Sequence, residues 1–206
     1  MSLTFRLATP LDAIPLTNLI NTAFRNDPTT DVFLSPSHEG IDVTSLSEVE
    51  AAISDASKSI ILAVLPSSSS SSSTGSTGST STSLPDQIII AHCSLRLLLT
   101  SESPGPKNKT EKKTAWLGLL AVDPTSQNKG TGSALLNYAE QYARQELGAT
   151  RMEFDVVWTR TKLIGWYKGR GYEETGEKSE FPYDRHPGWE GVLRGDLGLL
   201  NLGKEI

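Results

Sequence analysis

The chain has 206 residues, enough for one domain of ordinary size with a sizeable core. Its formal net charge of -5, from 19 basic and 24 acidic residues, argues against a dedicated nucleic-acid binder, and its apolar runs are far too short to span a membrane. A single cysteine, Cys93, excludes an internal disulfide and fits a reducing compartment; with only His38, His92 and His186 beside it, no metal-ligand spacing arises and no metal is expected.

Leu3 to Ala8 alternates as a strand does, with Phe5 and Leu7 on one face and Thr4 and Arg6 on the other. No basic segment leading into an apolar run opens the chain, so a soluble cytoplasmic protein is expected. Thr9-Pro10-Leu11-Asp12 supplies an N-cap, a proline at the first helical position and an acid in the first turn. Leu11, Ile14, Leu19, Ala23 and Phe24 then predict a helix to about Arg25. A second helical pattern covers Ser45 to Ser57, with Leu46, Val49, Ala52, Ile53 and Ala56 on one side.

Ile60 to Leu65 is a short apolar run closed by Pro66, as for a buried strand, and Ile88 to Leu99 is the next. Between them, residues 66–84 form a Ser-rich low-complexity tract that has nothing to bury. It reads as a flexible insertion in a hairpin loop, with a phosphorylated regulatory segment as the alternative. A polar insertion at 101–114 precedes a strand over Ala115 to Val122. Ser133 to Leu147 carries the clearest helical stripe, from Ala134 and Leu135 through Tyr138, Ala139, Tyr142 and Ala143, and Gly148 stops it. Arg151 to Trp158 alternates as a strand, with Met152, Phe154, Val156 and Trp158 against Glu153 and Asp155. A short helix over Thr161 to Lys168 ends at Gly169 or Gly171, and weaker strands are expected near Tyr172 to Glu177 and Gly191 to Leu197.

The informative junction is VDPTSQNKGTGSALL, residues 122–136, where an apolar strand runs through a glycine-bearing loop into a helix. Such loops cradle phosphates, because exposed backbone N–H groups meet the positive end of the helix dipole. A nucleotide triphosphatase loop needs Gly-Lys-Ser/Thr, but Lys129 precedes the first glycine. A dinucleotide fingerprint needs a third glycine where Leu135 stands, and too little chain follows for a doubly wound sheet. The third template, Q/R-x-x-G-x-G/A, is matched at every fixed position by Gln127-Asn128-Lys129-Gly130-Thr131-Gly132.

With LGLLAVDP upstream and Trp166-Tyr167-Lys168-Gly169-Arg170-Gly171-Tyr172 downstream, the sequence resembles the GNAT acyltransferase superfamily. The resemblance implies a single α/β (α+β) domain over 1–206, with a mixed, mostly antiparallel central sheet flanked by helices and interrupted only at 66–84 and 101–114. It implies an acetyl-CoA-dependent N-acetyltransferase that works by direct attack in a ternary complex, with a non-catalytic acyl-CoA sensor as the alternative. Acetyl-CoA would be the co-substrate, and its pyrophosphate would lie on Gln127, Asn128, Lys129, Gly130, Thr131, Gly132 and Ser133. Its pantetheine arm would pair with the strand at Leu120, Ala121 and Val122. Arg160, which stands where many members carry Asn, would reach a phosphate or a substrate carboxylate.

Tyr167 matches the tyrosine that returns a proton to the leaving thiolate. Many members hold a carboxylate on the central strand as the base, but AWLGLLAV has none. Asp155, Glu153 and His92 are therefore the substitute bases. The expected partners are acetyl-CoA and a small-molecule or peptide amine, with no nucleic acid and no membrane, and a homodimer as the assembly to test.

Overall fold

The computed structural model describes residues 3–25, 42–66, 87–100, 112–183 and 195–206. Residues 67–84 of the Ser-rich tract, and residues 101–111 of the second insertion, lie outside the described residues. Strand β1 (Thr4–Leu7) leads into a tight turn at Pro10–Asp12 and then helix α1 (Ala13–Arg25). The turn is tied down by charge: Arg6 donates to both oxygens of Asp12 at 2.7 Å, and Thr9 N–H donates to Asp12 at 2.8 Å. Burial alone would raise the Asp12 pKa, but these donors outweigh it and hold the carboxyl below its ordinary value.

The buried stripe of α1 differs from the expected one. Ala13, Leu16, Leu19, Ile20 and Ala23 pack inward, whereas Leu11 and Ile14 are 65% and 64% exposed. The cause is the separate turn: α1 begins only at Ala13, so the helical phase cannot be counted from Leu11. Helix α2 (Leu46–Ser54) opens on a capping box between Ser45 and Glu48 and buries Val49.

Strands β2 (Lys58–Pro66), β3 (Gln87–Thr100) and β4 (Lys112–Val122) follow as an antiparallel meander. Helix α3 (Thr131–Gln145), β5 (Arg151–Val157), α4 (Thr161–Lys168), β6 (Glu173–Glu180) and β7 (Gly198–Glu205) complete the order. The sheet order is β1-β2-β3-β4-β5-β7-β6, and only the β4–β5 pair is parallel. β4 starts at Lys112 rather than Ala115, because Lys112 and Lys113 extend the ladder to Thr100 and Leu99 of β3. Strand β7 at Gly198–Glu205 inserts between β5 and β6, and residues 191–194 of the strand expected at Gly191 to Leu197 lie outside the described residues.

Alternation along β2 shows how the two faces are filled. Ile61 and Ala63 join a core with α3 and α4, while Ile60, Leu62 and Val64 join a second core under α1 and α2. Glu140 of α3 accepts from Tyr172 Oη at 3.0 Å and from Lys204 Nζ at 2.8 and 2.9 Å, which latches α3 to β7 and the start of β6. No helix among the described residues is long and apolar enough to cross a membrane.

Two irregularities shape the middle of the sheet. Ser94 pairs with Gly118 and His92 with Ala121, so Leu119 and Leu120 together face Cys93, and Leu119 adopts φ 43°. The β4–β5 pairing is also brief. It runs from Thr114–Arg151 to Trp116–Glu153 and stops, while β5 stays paired with β7 to Val157. The two parallel strands therefore part at the level of the β4 bulge.

Candidate active site

The loop after β4 is built to turn its amides outward. Asp123 caps the turn at Pro124–Ser126 by accepting from Thr125 N–H at 2.8 Å. The Gln127 side-chain amide folds back to donate to the Val122 carbonyl at 3.2 Å, closing the loop on the strand it left. Asn128 and Gly130 take left-handed φ of 58° and 83°, and Gly130 is the N-cap of α3. With no side chain at the N-cap to accept from them, the first N–H groups of α3 are positioned for an anion. The helix opens at Thr131, two residues before the expected Ser133.

A cavity of about 480 Å³ lies against the part of β4 that is beyond its last pair with β5. The loop contributes Gln127, Asn128, Gly130, Gly132 and Ser133 to its wall, and β4 contributes Leu120, Ala121 and Val122. Arg160, at the N-cap of α4, lines it as well. Of the expected cofactor residues only Lys129 and Thr131 stand apart: Lys129 is exposed on the loop and Thr131 is buried beneath it. The opening passes through the sheet. Ala23 and Phe24 of α1 line it from one face, and Trp166 and Tyr167 of α4 from the other.

Gly132 explains why this wall needs a small residue. A Cβ there would meet Val122 at 3.5 Å and Trp166 at 3.7 Å, so alanine fits while anything longer projects into the cavity. Arg170 braces the same corner: its guanidinium donates to the Trp166 carbonyl at 2.8 Å and to Ser133 Oγ, and lies 3.7 Å from the Trp166 ring centroid. Lys162 and Leu163 add a charge and an apolar contact to the wall. Ala23, Phe24, Lys162 and Leu163 carry no sequence signal for the site. They reach it through helix packing, and Trp166 was legible only as a packing residue.

Tyr167 is 5% exposed, ringed by Phe154 at 4.3 Å, Trp166 at 4.8 Å and Tyr172 at 5.7 Å between centroids. Burial raises its pKa, with the Cys93 thiol acting in the same direction and Arg160 and Arg170 opposing. The phenol is therefore held as a proton donor facing the cavity.

The three substitute bases separate. Glu153 and Asp155 alternate with Met152, Phe154 and Val156, so they face away from the α3–α4 core. Neither lines the cavity wall. Glu153 is in an ion pair with Arg151 and sits opposite Trp116, where the sheet is still closed. Asp155 lies two residues beyond the last β4–β5 pair, opposite Asn201 of β7. Its carboxylate is exposed and accepts from Asn201 Nδ2 at 3.2 Å. His92 is sealed in β3, cross-strand from Leu62 and Ala121, with no hydrogen-bond partner for either ring nitrogen among the described residues. Of the three, Asp155 is the one that is exposed and lies beyond the last β4–β5 pair.

Residues 84–172 match the model of the Acetyltransferase (GNAT) family. No curated protein matches the chain. Among solved structures, NAA60 from Arabidopsis thaliana, crystallised with a bisubstrate analogue and with acetyl-CoA, superposes with a TM-score of 0.64 at 14% identity over 100% of this chain and 99% of that one. The ribosomal-protein-S18-alanine N-acetyltransferase from Escherichia coli gives 0.61 at 13% identity, over 100% and 94%. A GNAT-family acetyltransferase from Streptococcus pneumoniae gives 0.58 at 18% identity, over all of both chains. At these identities the structural likeness establishes the shared fold.

Proposed function

We propose that this chain, a GNAT-superfamily protein by its fold and by the pattern over residues 84–172, is an acetyl-CoA-dependent N-acetyltransferase acting on a primary amine. The observation that carries the reading is the cavity against the released end of β4, with the glycine loop and Tyr167 both in its wall. The loop amides and the N-terminus of α3 suit a pyrophosphate, and Arg160 and Lys162 add positive charge to the wall. The acetyl-CoA complex of the Arabidopsis neighbour supports this donor.

Acetyl-CoA supplies an activated thioester; the protein's residues align it and move protons. Beyond Trp116 the β4 backbone is released from β5, so its groups are open to the amides of a pantetheine arm. The bulge at Leu119 and Leu120 interrupts the ladder with β3, and an N–H near Leu120 would stabilise the oxyanion of the attacked thioester. A lysine-like amine, with a pKa near 10.4, must lose a proton before it attacks, and Asp155, exposed beyond the last β4–β5 pair, is the base that takes it. The C–N bond forms, the C–S bond breaks, and Tyr167 donates its proton to the thiolate, whose conjugate thiol has a pKa near 8.5.

Saturating acetyl-CoA, at ~100 times its dissociation constant, should add about 2.7 kcal/mol of stability and raise Tm. An unmoved Tm sinks the reading. Release of free coenzyme A that depends on an added amine, screened over small amines and peptide N-termini, separates the transferase from an acyl-CoA sensor. The absence of an acid on AWLGLLAV is the observation that favours the sensor, and binding without amine-dependent release would establish it.

A further inference from the structure

Asn201 lies in the middle of β7, 4% exposed, with β5 on one side and β6 on the other. A carboxamide buried at this depth destabilises the fold unless its polar atoms are partnered. Each one is. Nδ2 donates to Asp155 Oδ1 at 3.2 Å and makes a long contact of 3.5 Å with the Phe154 carbonyl. Oδ1 accepts from Thr175 Oγ1 at 2.8 Å.

The hydroxyl reaches Asn201 through a distortion of β6. Thr175, Gly176 and Glu177 together face Asn201 alone, between the Glu174–Leu202 and Lys178–Leu200 pairs, and Gly176 turns the chain at φ 91°. Glu177 N–H donates to Thr175 Oγ1 at 3.2 Å, which leaves the hydroxyl proton to point at Asn201. These contacts fix the amide's orientation: reversed, its oxygen would face a carboxylate and a carbonyl.

We propose that Asn201 is the positioning residue for the general base: it holds Asp155 Oδ1 in place and leaves Oδ2 to take the proton of the attacking amine. The proposal rests on the reading of Asp155 given above. An exposed carboxylate on a strand would otherwise sample several rotamers, and a base works only within hydrogen-bond reach of the proton it removes. The chain Thr175–Asn201–Asp155 carries a distortion at the edge of the sheet to a carboxylate on β5 beyond its last pair with β4.

A kinetic double-mutant cycle on the intact protein tests this, with any amine that supports turnover. Asp155→Asn should lower kcat by on the order of a hundredfold, the low end of a general base's contribution. Asn201→Ala should lower kcat by about tenfold, with KM for acetyl-CoA unchanged, and should cost nothing further in the Asp155→Asn background. If Asn201→Ala costs the same factor in both backgrounds, its role is structural and the proposal falls while the base stands. If Asp155→Asn keeps the wild-type kcat, the base reading fails and the proposal falls with it. Thr175→Val, at a half-buried position, is the second variant should Asn201→Ala not fold. A loss in the wild-type background that vanishes beside Asp155→Asn supports the proposal, and a loss that persists overturns it.

Discussion

His92 should make this protein sensitive to acid well before its carboxylates do. The ring is 2% exposed, and burial lowers its pKa from 6.5 to about 3. Since the folded value lies below the unfolded one, the unfolded chain binds the extra proton across that window. Stability from this group is complete above pH 6.5 and is lost as pH falls toward 3. At pH 5 the unfolded imidazole is almost fully protonated and the folded one almost fully neutral, which amounts to about 2 kcal/mol.

The assay is urea unfolding at pH 8 and pH 5, for the wild type and for His92→Leu. The wild type should lose about 2 kcal/mol more than the variant between the two conditions. Asp12, whose carboxyl is held below its ordinary value, loses stability only at lower pH and is common to both proteins, so it cancels. At pH 8 the variant should be at least as stable, because leucine removes two buried nitrogens that lack partners among the described residues. Equal acid losses in the two proteins would refute the reasoning.

Tyr167→Phe should lower kcat at least tenfold while the Kd for acetyl-CoA, measured by calorimetry, stays within twofold; an unchanged rate would remove the tyrosine from proton transfer. Gly130→Ala should cost roughly 1 kcal/mol through its φ of 83° alone, since nothing lies within 4 Å of a Cβ there. Gly132→Ala, with only ordinary contacts at 3.5 and 3.7 Å, should melt near wild type, whereas Gly132→Leu should abolish acetyl-CoA binding in a folded protein. Glu140→Ala strips Lys204 and the Tyr172 hydroxyl of their shared partner and should cost about 3 kcal/mol in urea unfolding. A loss under about 1 kcal/mol would show that the latch is unimportant.

The glycine loop and α3 were legible because their signals are local. Gln127, Gly130 and Gly132 sit at fixed spacing, and the stripe from Leu135 to Ala143 needs no knowledge of distant chain. β7 was missed for the opposite reason. GLLNLGKE carries Asn201 and Gly203, both poor strand formers, and each is justified only by tertiary contact. Asn201 is partnered by β5 and β6, while a Cβ at Gly203 would run into the Arg151 guanidinium. Asp155 and Glu153 are indistinguishable in an alternating strand. What separates them is where β4 leaves β5, which depends on a bulge two strands' pairing sets up. The α1 side of the cavity was hidden in the same way, since Ala23 and Phe24 look like ordinary stripe residues.

Among the described residues the sheet ends on β1 and β6, and both are poor templates for a further chain. β1 offers four residues. β6 offers a ladder broken at Thr175–Glu177, with Glu173, Glu174, Glu177, Lys178 and Glu180 within its eight residues. An incoming strand would have to match the break and face that density of charge in water. The distortion that delivers a hydroxyl to Asn201 therefore also keeps concentrated protein from growing sheet onto sheet, so straightening β6 would trade dispersal for continuity.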